Sequence, residues 1–207
     1  NRKQISLLTK ELFSRPSHLV APNLIGCSLT KRLSSNSYLT GVIVETEAYS
    51  QEEGSCHGFL GKTERNKTLF GEPGNLYIYL SYGIHSCVNI VTGSKNWANG
   101  VLLRSIAIEG ENERVASGPG LLAKRFGLTR NFDNMPLSPE YDFWLTKGED
   151  FKKVGKIVQT TRIGISKAKD IPWRWYFKNS RSVSKRAKGD RIPSKNKCWE
   201  PTKFEAL

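Results

Sequence analysis

Two carboxylates interrupt an apolar, β-branched run, Gly41-Val42-Ile43-Val44-Glu45-Thr46-Glu47-Ala48-Tyr49. Burying a charge is costly, so a carboxylate in such a run needs a reason to be there. Desolvation raises a carboxyl pKa, and a second carboxylate nearby raises it further, which is how a general base is made. Residues two apart on a strand share a face, so periodicity leaves open whether Glu45 or Glu47 would act. The other would then be a salt-bridged or hydrogen-bonded partner. Arg104 ends the apolar run Val101-Leu102-Leu103 and needs a carboxylate or a phosphate for its charge. Asn89 lies among apolar neighbours, where an unpaired amide is expensive, so it is either satisfied by backbone or placed for readout.

The bulk composition suits such chemistry on a polyanion. The chain has 207 residues, 38% of them hydrophobic, enough for one domain with a sizeable core. The formal charge is +13, and from Arg162 onward thirteen Lys or Arg stand against four Asp or Glu. A field of that sign attracts nucleic acid. Trp173, Trp175, Tyr176, Phe177 and Trp199 are interleaved with these cations, which argues against a merely solvated tail. No apolar run is long enough to span a bilayer. Cys27, Cys56, Cys87 and Cys198 show no C-x-x-C spacing, so they read as reduced and intracellular, and Cys56-His57 lacks nearby partners for a metal.

The elements that must position these residues read as follows. Ile5, Leu8 and Leu12 recur at helical spacing, predicting a helix over residues 5–13 that stops before Pro16. A short helix over 21–25 places Pro22 in its first turn and Gly26 at its exit. Strands over 28–33 and 38–49, joined by a Ser/Asn turn, form a hairpin that delivers Glu47 to its end. Residues 50–73 form a long loop, of a length that is usually functional, and should line the site. Strands over 76–83, 85–91 and 100–108 should pair antiparallel. Ser117-Gly118-Pro119-Gly120 carries a cap and a first-turn proline, with Gly127 beyond, and so begins a helix. Strands are also expected over 160–165 and 174–177, while 179–201 is too polar and basic to assign.

Taken in order, Val44-Glu45-Thr46-Glu47-Ala48-Tyr49, His57, Pro73-Gly74-Asn75-Leu76-Tyr77-Ile78-Tyr79, Tyr82-Gly83, Asn89, Leu102-Leu103-Arg104 and Ser117-Gly118-Pro119 carry a specific pattern. From about Phe13 to Ser184 the chain resembles the 3-methyladenine DNA glycosylase family of the mammalian alkyladenine type. The resemblance implies a single α+β domain over 1–207: a curved antiparallel sheet with flanking helices, like a formyltransferase C-terminal domain, its 179–207 tail basic and partly irregular. It implies a monomer that acts without metal or organic cofactor on duplex DNA holding damaged purines, in the nucleus of a eukaryote or the cytoplasm or nucleoid of a bacterium. The lesions would be 3-methyladenine, 7-methylguanine, hypoxanthine and ethenoadenine, each flipped out of the helix.

By the same resemblance Glu47 is the general base that activates water against the sugar C1′. Arg104 stands beside that water with the backbone carbonyl of Ile165. Tyr49, His57 and Tyr79 sandwich the flipped base, Asn89 excludes the guanine amine, Leu69 touches the pocket edge, and Tyr82 intercalates through the minor groove. No lysine is evidently placed as a Schiff-base nucleophile, so the enzyme would be monofunctional. Two departures stand out: His57 sits one residue closer to Glu-Ala-Tyr than in the mammalian member, and residues 109–116 are much shorter than the family's segment. A rival reading is a non-catalytic nucleic-acid-binding module with the same basic aromatic surface, against which the acidic pair argues.

Overall fold

A computed structural model describes residues 6–148 and 150–202. Its centre is an antiparallel sheet of eight strands. Strand β1 (Ser28–Ser34) turns through Ser35 and Asn36 into the long β2 (Ser37–Ser50). After the 50–73 loop come β3 (Leu76–Ser81), β4 (His85–Val91) and β5 (Asn99–Ala107), with β6 (Phe143–Thr146), β7 (Ile157–Thr160) and β8 (Arg174–Phe177) later in the chain. The sheet order is β3-β4-β5-β2-β1-β6, and β8 pairs with both β2 and β7. One edge of β2 is divided between two partners: β1 takes it as far as Val42, and β8 takes Glu45, Thr46 and Glu47.

Covering elements bury both faces of this centre, which is why β2 and β5 read as almost continuous burial. Helix α1 is one turn, Lys10–Phe13, and α2 spans Ser17–Leu24. The Thr46 hydroxyl donates to the Ala21 carbonyl of α2 at 2.9 Å, so Thr46 faces that helix. Glu45 and Glu47, on either side of it, face the other way. Helix α3, Pro119–Phe126, lies against β4 and β5, and α4 is the single turn Phe151–Val154. Within the main core Phe151 stacks on Phe177 with ring centroids 3.9 Å apart, and Trp199 meets both edge-on. The rings near the C-terminus therefore anchor the basic tail to the core. Among the described residues no helix is long and apolar enough to cross a membrane.

Four expectations about elements are corrected. Helical spacing over 5–13 yields only the turn of α1: Leu7 bridges to Thr146 and the Leu8 N–H donates to the Leu145 carbonyl, covering the β6 edge, while Ile5 lies outside the described residues. Helix α2 begins at Ser17, just after Pro16, so Pro22 lies inside it rather than in its first turn. The residue that caps α3 is Gly118, without a side-chain bond, and the buried Ser117 hydroxyl finds no partner. Strand β7 ends at Thr160, leaving 161–165 as a loop. In the short segment after β5, Glu111 pairs with Arg125 and Glu113 with Arg181.

Candidate active site

The register of β2 against β5 slips on both sides of Glu45. Ile43 faces Ile106, Glu45 faces Ser105 and Thr46 faces Leu103, so Val44 and Arg104 are left out of the pairing. A bulge re-aims a side chain, and here it brings Arg104 to the two acids. Arg104 Nε lies 3.5 Å from Glu45 Oε1, and its Nη1 lies 3.4 Å from Glu47 Oε1. Arg174 adds a second guanidinium, donating to Glu45 Oε1 at 3.0 Å. All four groups are buried, two acids against two arginines, so the cluster carries no net formal charge.

The two acids differ in their remaining partners. Glu45 Oε2 accepts from the Ser105 hydroxyl at 2.7 Å and from the Ser184 N–H at 2.8 Å. With Arg174 on its other oxygen it is a saturated structural carboxylate. Glu47 Oε1 accepts from the Ile163 N–H at 2.8 Å and Oε2 from the Tyr49 hydroxyl at 2.8 Å. Burial pushes the Glu47 pKa up, and Arg104, the Ile163 N–H and Tyr49 offset this only in part. The Tyr49 phenol is also pushed up, by burial and then by the carboxylate beside it, so it stays a donor. Glu47 thus has the character of a base and Glu45 that of a brace.

Beside this cluster opens a cavity of about 640 Å³, a size typical of ligand sites. Tyr49, His57, Leu69, Tyr79, Tyr82, Asn89, Arg104 and Ile165 all line it. Glu47 does not reach its surface: the side chain is 0% exposed and touches the cavity through Tyr49, Arg104 and Ile163, which do line it. The carboxylate therefore lies one layer behind the wall.

Several rings form that wall. His57 meets Tyr79 edge-on, with centroids 4.2 Å apart, and its Nδ1 lies 3.0 Å from the Tyr77 hydroxyl. Desolvation of the ring lowers the His57 pKa, which favours neutral imidazole. Asn89 pairs across the strands with Tyr77 and donates its amide to the Tyr77 carbonyl at 3.2 Å. The arrangement can hold a flat, hydrogen-bonding ring system between aromatic faces.

At the cavity edge the β3–β4 hairpin turns sharply. The Ile84 N–H donates to the Ser81 carbonyl, with φ of 51° at Tyr82 and 70° at Gly83. Two left-handed residues make a type I′ turn, natural for glycine and costing tyrosine about 1–2 kcal/mol. Tyr82 is 91% exposed, and Leu80 and Ile84 beside it are also exposed. The turn thus holds an aromatic ring out in solvent at the cavity edge rather than packing it against the core.

Some site residues escaped the sequence reading. Tyr77 shares a strand face with Tyr79, and that alternation was the available signal. Arg162, Ile163 and Arg174 gave none, because their partners are remote in sequence. Among the described residues no cluster of three or more His, Cys, Asp or Glu could hold a metal ion.

A model of the methylpurine-DNA glycosylase family matches residues 11–181. A protein of Synechococcus sp. strain JA-3-3Ab is 38% identical over 84% of this chain and 97% of its own length. One from Carboxydothermus hydrogenoformans is 38% identical, covering 87% of this chain and 100% of its own. One from Methanocella arvoryzae is 37% identical, covering 89% and 98%. All three are provisionally named as 3-methyladenine DNA glycosylases.

Proposed function

Because this chain belongs to the methylpurine-DNA glycosylase family and is a DNA glycosylase, we propose that it excises alkylated and deaminated purines from duplex DNA by base flipping. The observation that carries the reading is the buried Glu47–Arg104 pair set directly behind a ring-lined cavity. On this reading residues 1–207 act as one glycosylase domain and as a monomer, with no metal or organic cofactor. The basic 179–207 stretch adds phosphate affinity.

The damaged nucleotide turns into the cavity while Tyr82 fills the gap in the stack. Tyr49 covers one face of the base, and His57 and Tyr79 the other. Leu69 bounds the edge of the pocket, and Asn89 crowds the guanine exocyclic amine and so disfavours normal guanine, whereas 7-methylguanine, which keeps that amine, is excised because its cationic ring departs readily. Glu47 takes the proton of a water placed between Arg104 and the Ile165 carbonyl. The water oxygen bonds to C1′, and the C1′–N bond breaks with its electron pair going to the purine. A cationic methylpurine leaves as a neutral base without further help, whereas hypoxanthine and ethenoadenine leave with a proton taken from solvent.

Duplex oligonucleotides carrying 7-methylguanine, hypoxanthine or ethenoadenine test this. The expected products are free base and a site that breaks only after alkali. Binding without base release on every lesion would instead identify a non-catalytic DNA-binding module.

A further inference from the structure

Arg162 has no part in the steps above, yet it occupies the centre of an ordered stack. Its guanidinium carbon lies 4.7 Å from the Tyr49 ring centroid and 5.6 Å from that of Trp173. Trp173 stacks in turn on His18, with centroids 5.2 Å apart and planes 8° from parallel. The column therefore runs His18, Trp173, Arg162, Tyr49, and ends on a ring that lines the cavity.

Both terminal nitrogens of the same guanidinium are engaged with the backbone and one acid, while its buried Nε finds no partner. Nη1 donates to the Ala48 carbonyl at 2.9 Å and to Glu53 Oε1 at 2.7 Å. Nη2 donates to Glu53 Oε2 and to the Ala168 carbonyl, both at 3.1 Å. Ala48 lies between Glu47 and Tyr49, and Ile163, next to Arg162, supplies the N–H that Glu47 Oε1 accepts. One planar side chain thus ties β2 to the 161–168 loop at the level of the base, and backs the ring beside it.

We propose that Arg162 is a positioning residue for base excision, its planar fork setting Glu47 through the Ile163 N–H and setting Tyr49 by contact with its rear face. This rests on the roles given to Glu47 and Tyr49 above. Lysine could keep the charge beside Glu53, but it has neither the flat face to fill the stack nor the fork to reach Ala48 and Ala168 together.

The test is single-turnover excision of 7-methylguanine by R162K and the wild type across pH, alongside thermal melts. Glu47 faces Arg104, Glu45, Tyr49, Tyr79 and Cys87, none of which the substitution changes. Displacing the Ile163 N–H removes a donor that holds the Glu47 pKa down, so the acid limb should move to higher pH. The rate should fall on the order of 10- to 100-fold, as misplacement of a reacting group does. Affinity for a duplex with an abasic-site analogue should stay at the wild-type value. A wild-type rate, or a slower rate with an unmoved acid limb, would overturn the proposal. If R162K does not fold, W173L removes the outer plane while keeping the Glu53 pair, and an unchanged profile there overturns it equally. A wild type inactive on every lesion would defeat the excision reading itself, whereas an active wild type with a silent Arg162 defeats only this inference.

Discussion

Glu47→Gln separates the carboxylate's chemistry from its structural role. The amide is isosteric, and the Ile163 N–H, 2.8 Å from Oε1, requires the amide oxygen to stay on that side. The new NH2 then faces Tyr49, whose hydroxyl turns from donor to acceptor, and Arg104 keeps Glu45. The frame therefore survives while the base is lost. A positioned general base contributes about 10²- to 10⁴-fold, or about 2.7–5.4 kcal/mol of barrier. Single-turnover release of 7-methylguanine is the suitable assay, because that base departs without a proton and its pH profile reports the base alone. Wild-type activity should rise through an acid limb above the ordinary carboxyl value, since burial raises the Glu47 pKa, and E47Q should lose that limb. Stability should move the other way. A carboxyl whose folded pKa exceeds its unfolded one contributes most at low pH and loses that contribution as pH rises through the folded value. At pH 7 E47Q should therefore melt at or above the wild-type temperature, with the gap closing toward pH 4. A correctly folded E47Q that excises at the wild-type rate would refute the assignment.

Glu45→Ala strands Arg174 and leaves Arg104 with a single acid, so it should cost about 3–5 kcal/mol in urea unfolding, and more than Glu45→Gln. Tyr82→Asn keeps a residue that tolerates the left-handed turn, so stability should hold or rise while binding to lesion-bearing duplex weakens in a mobility-shift titration. Gly58→Ala would set a Cβ 2.1 Å from that of Ala98 and 3.1 Å from Phe70, beside His57. Overpacking of that kind should lower stability by about 1–3 kcal/mol in thermal melts and slow excision with it.

Much of the centre was legible because local rules and burial agree there. The alternating, β-branched runs gave strands β2 to β5 to within a few residues, and the acid pair marked the strand that carries the candidate base. Which acid is braced and which is poised follows from partners that only the fold supplies: Ser184 is 139 residues from Glu45, and Arg162 is 109 from Glu53. The bulge that brings Arg104 to both acids leaves no trace in a run reading Val-Leu-Leu-Arg. Residues 5–13 failed for the opposite reason: a genuine helical spacing yielded to the exposed edge of β6. The 180–187 stretch gave no periodic signal, yet it supplies the Ser184 N–H to Glu45 and the Lys185 carbonyl to Arg174.

That last closure sets a schedule for synthesis. At translation speeds of roughly 5–20 residues per second, about 7–28 s separate the emergence of Glu45 from that of Ser184. Through that interval the nascent polypeptide carries an acidic strand that cannot yet be sealed, along with the apolar surfaces of its neighbours. Ribosome-bound chains halted before Ser184 should accordingly be protease-sensitive across β2 and β5, becoming resistant only when the tail clears the exit tunnel.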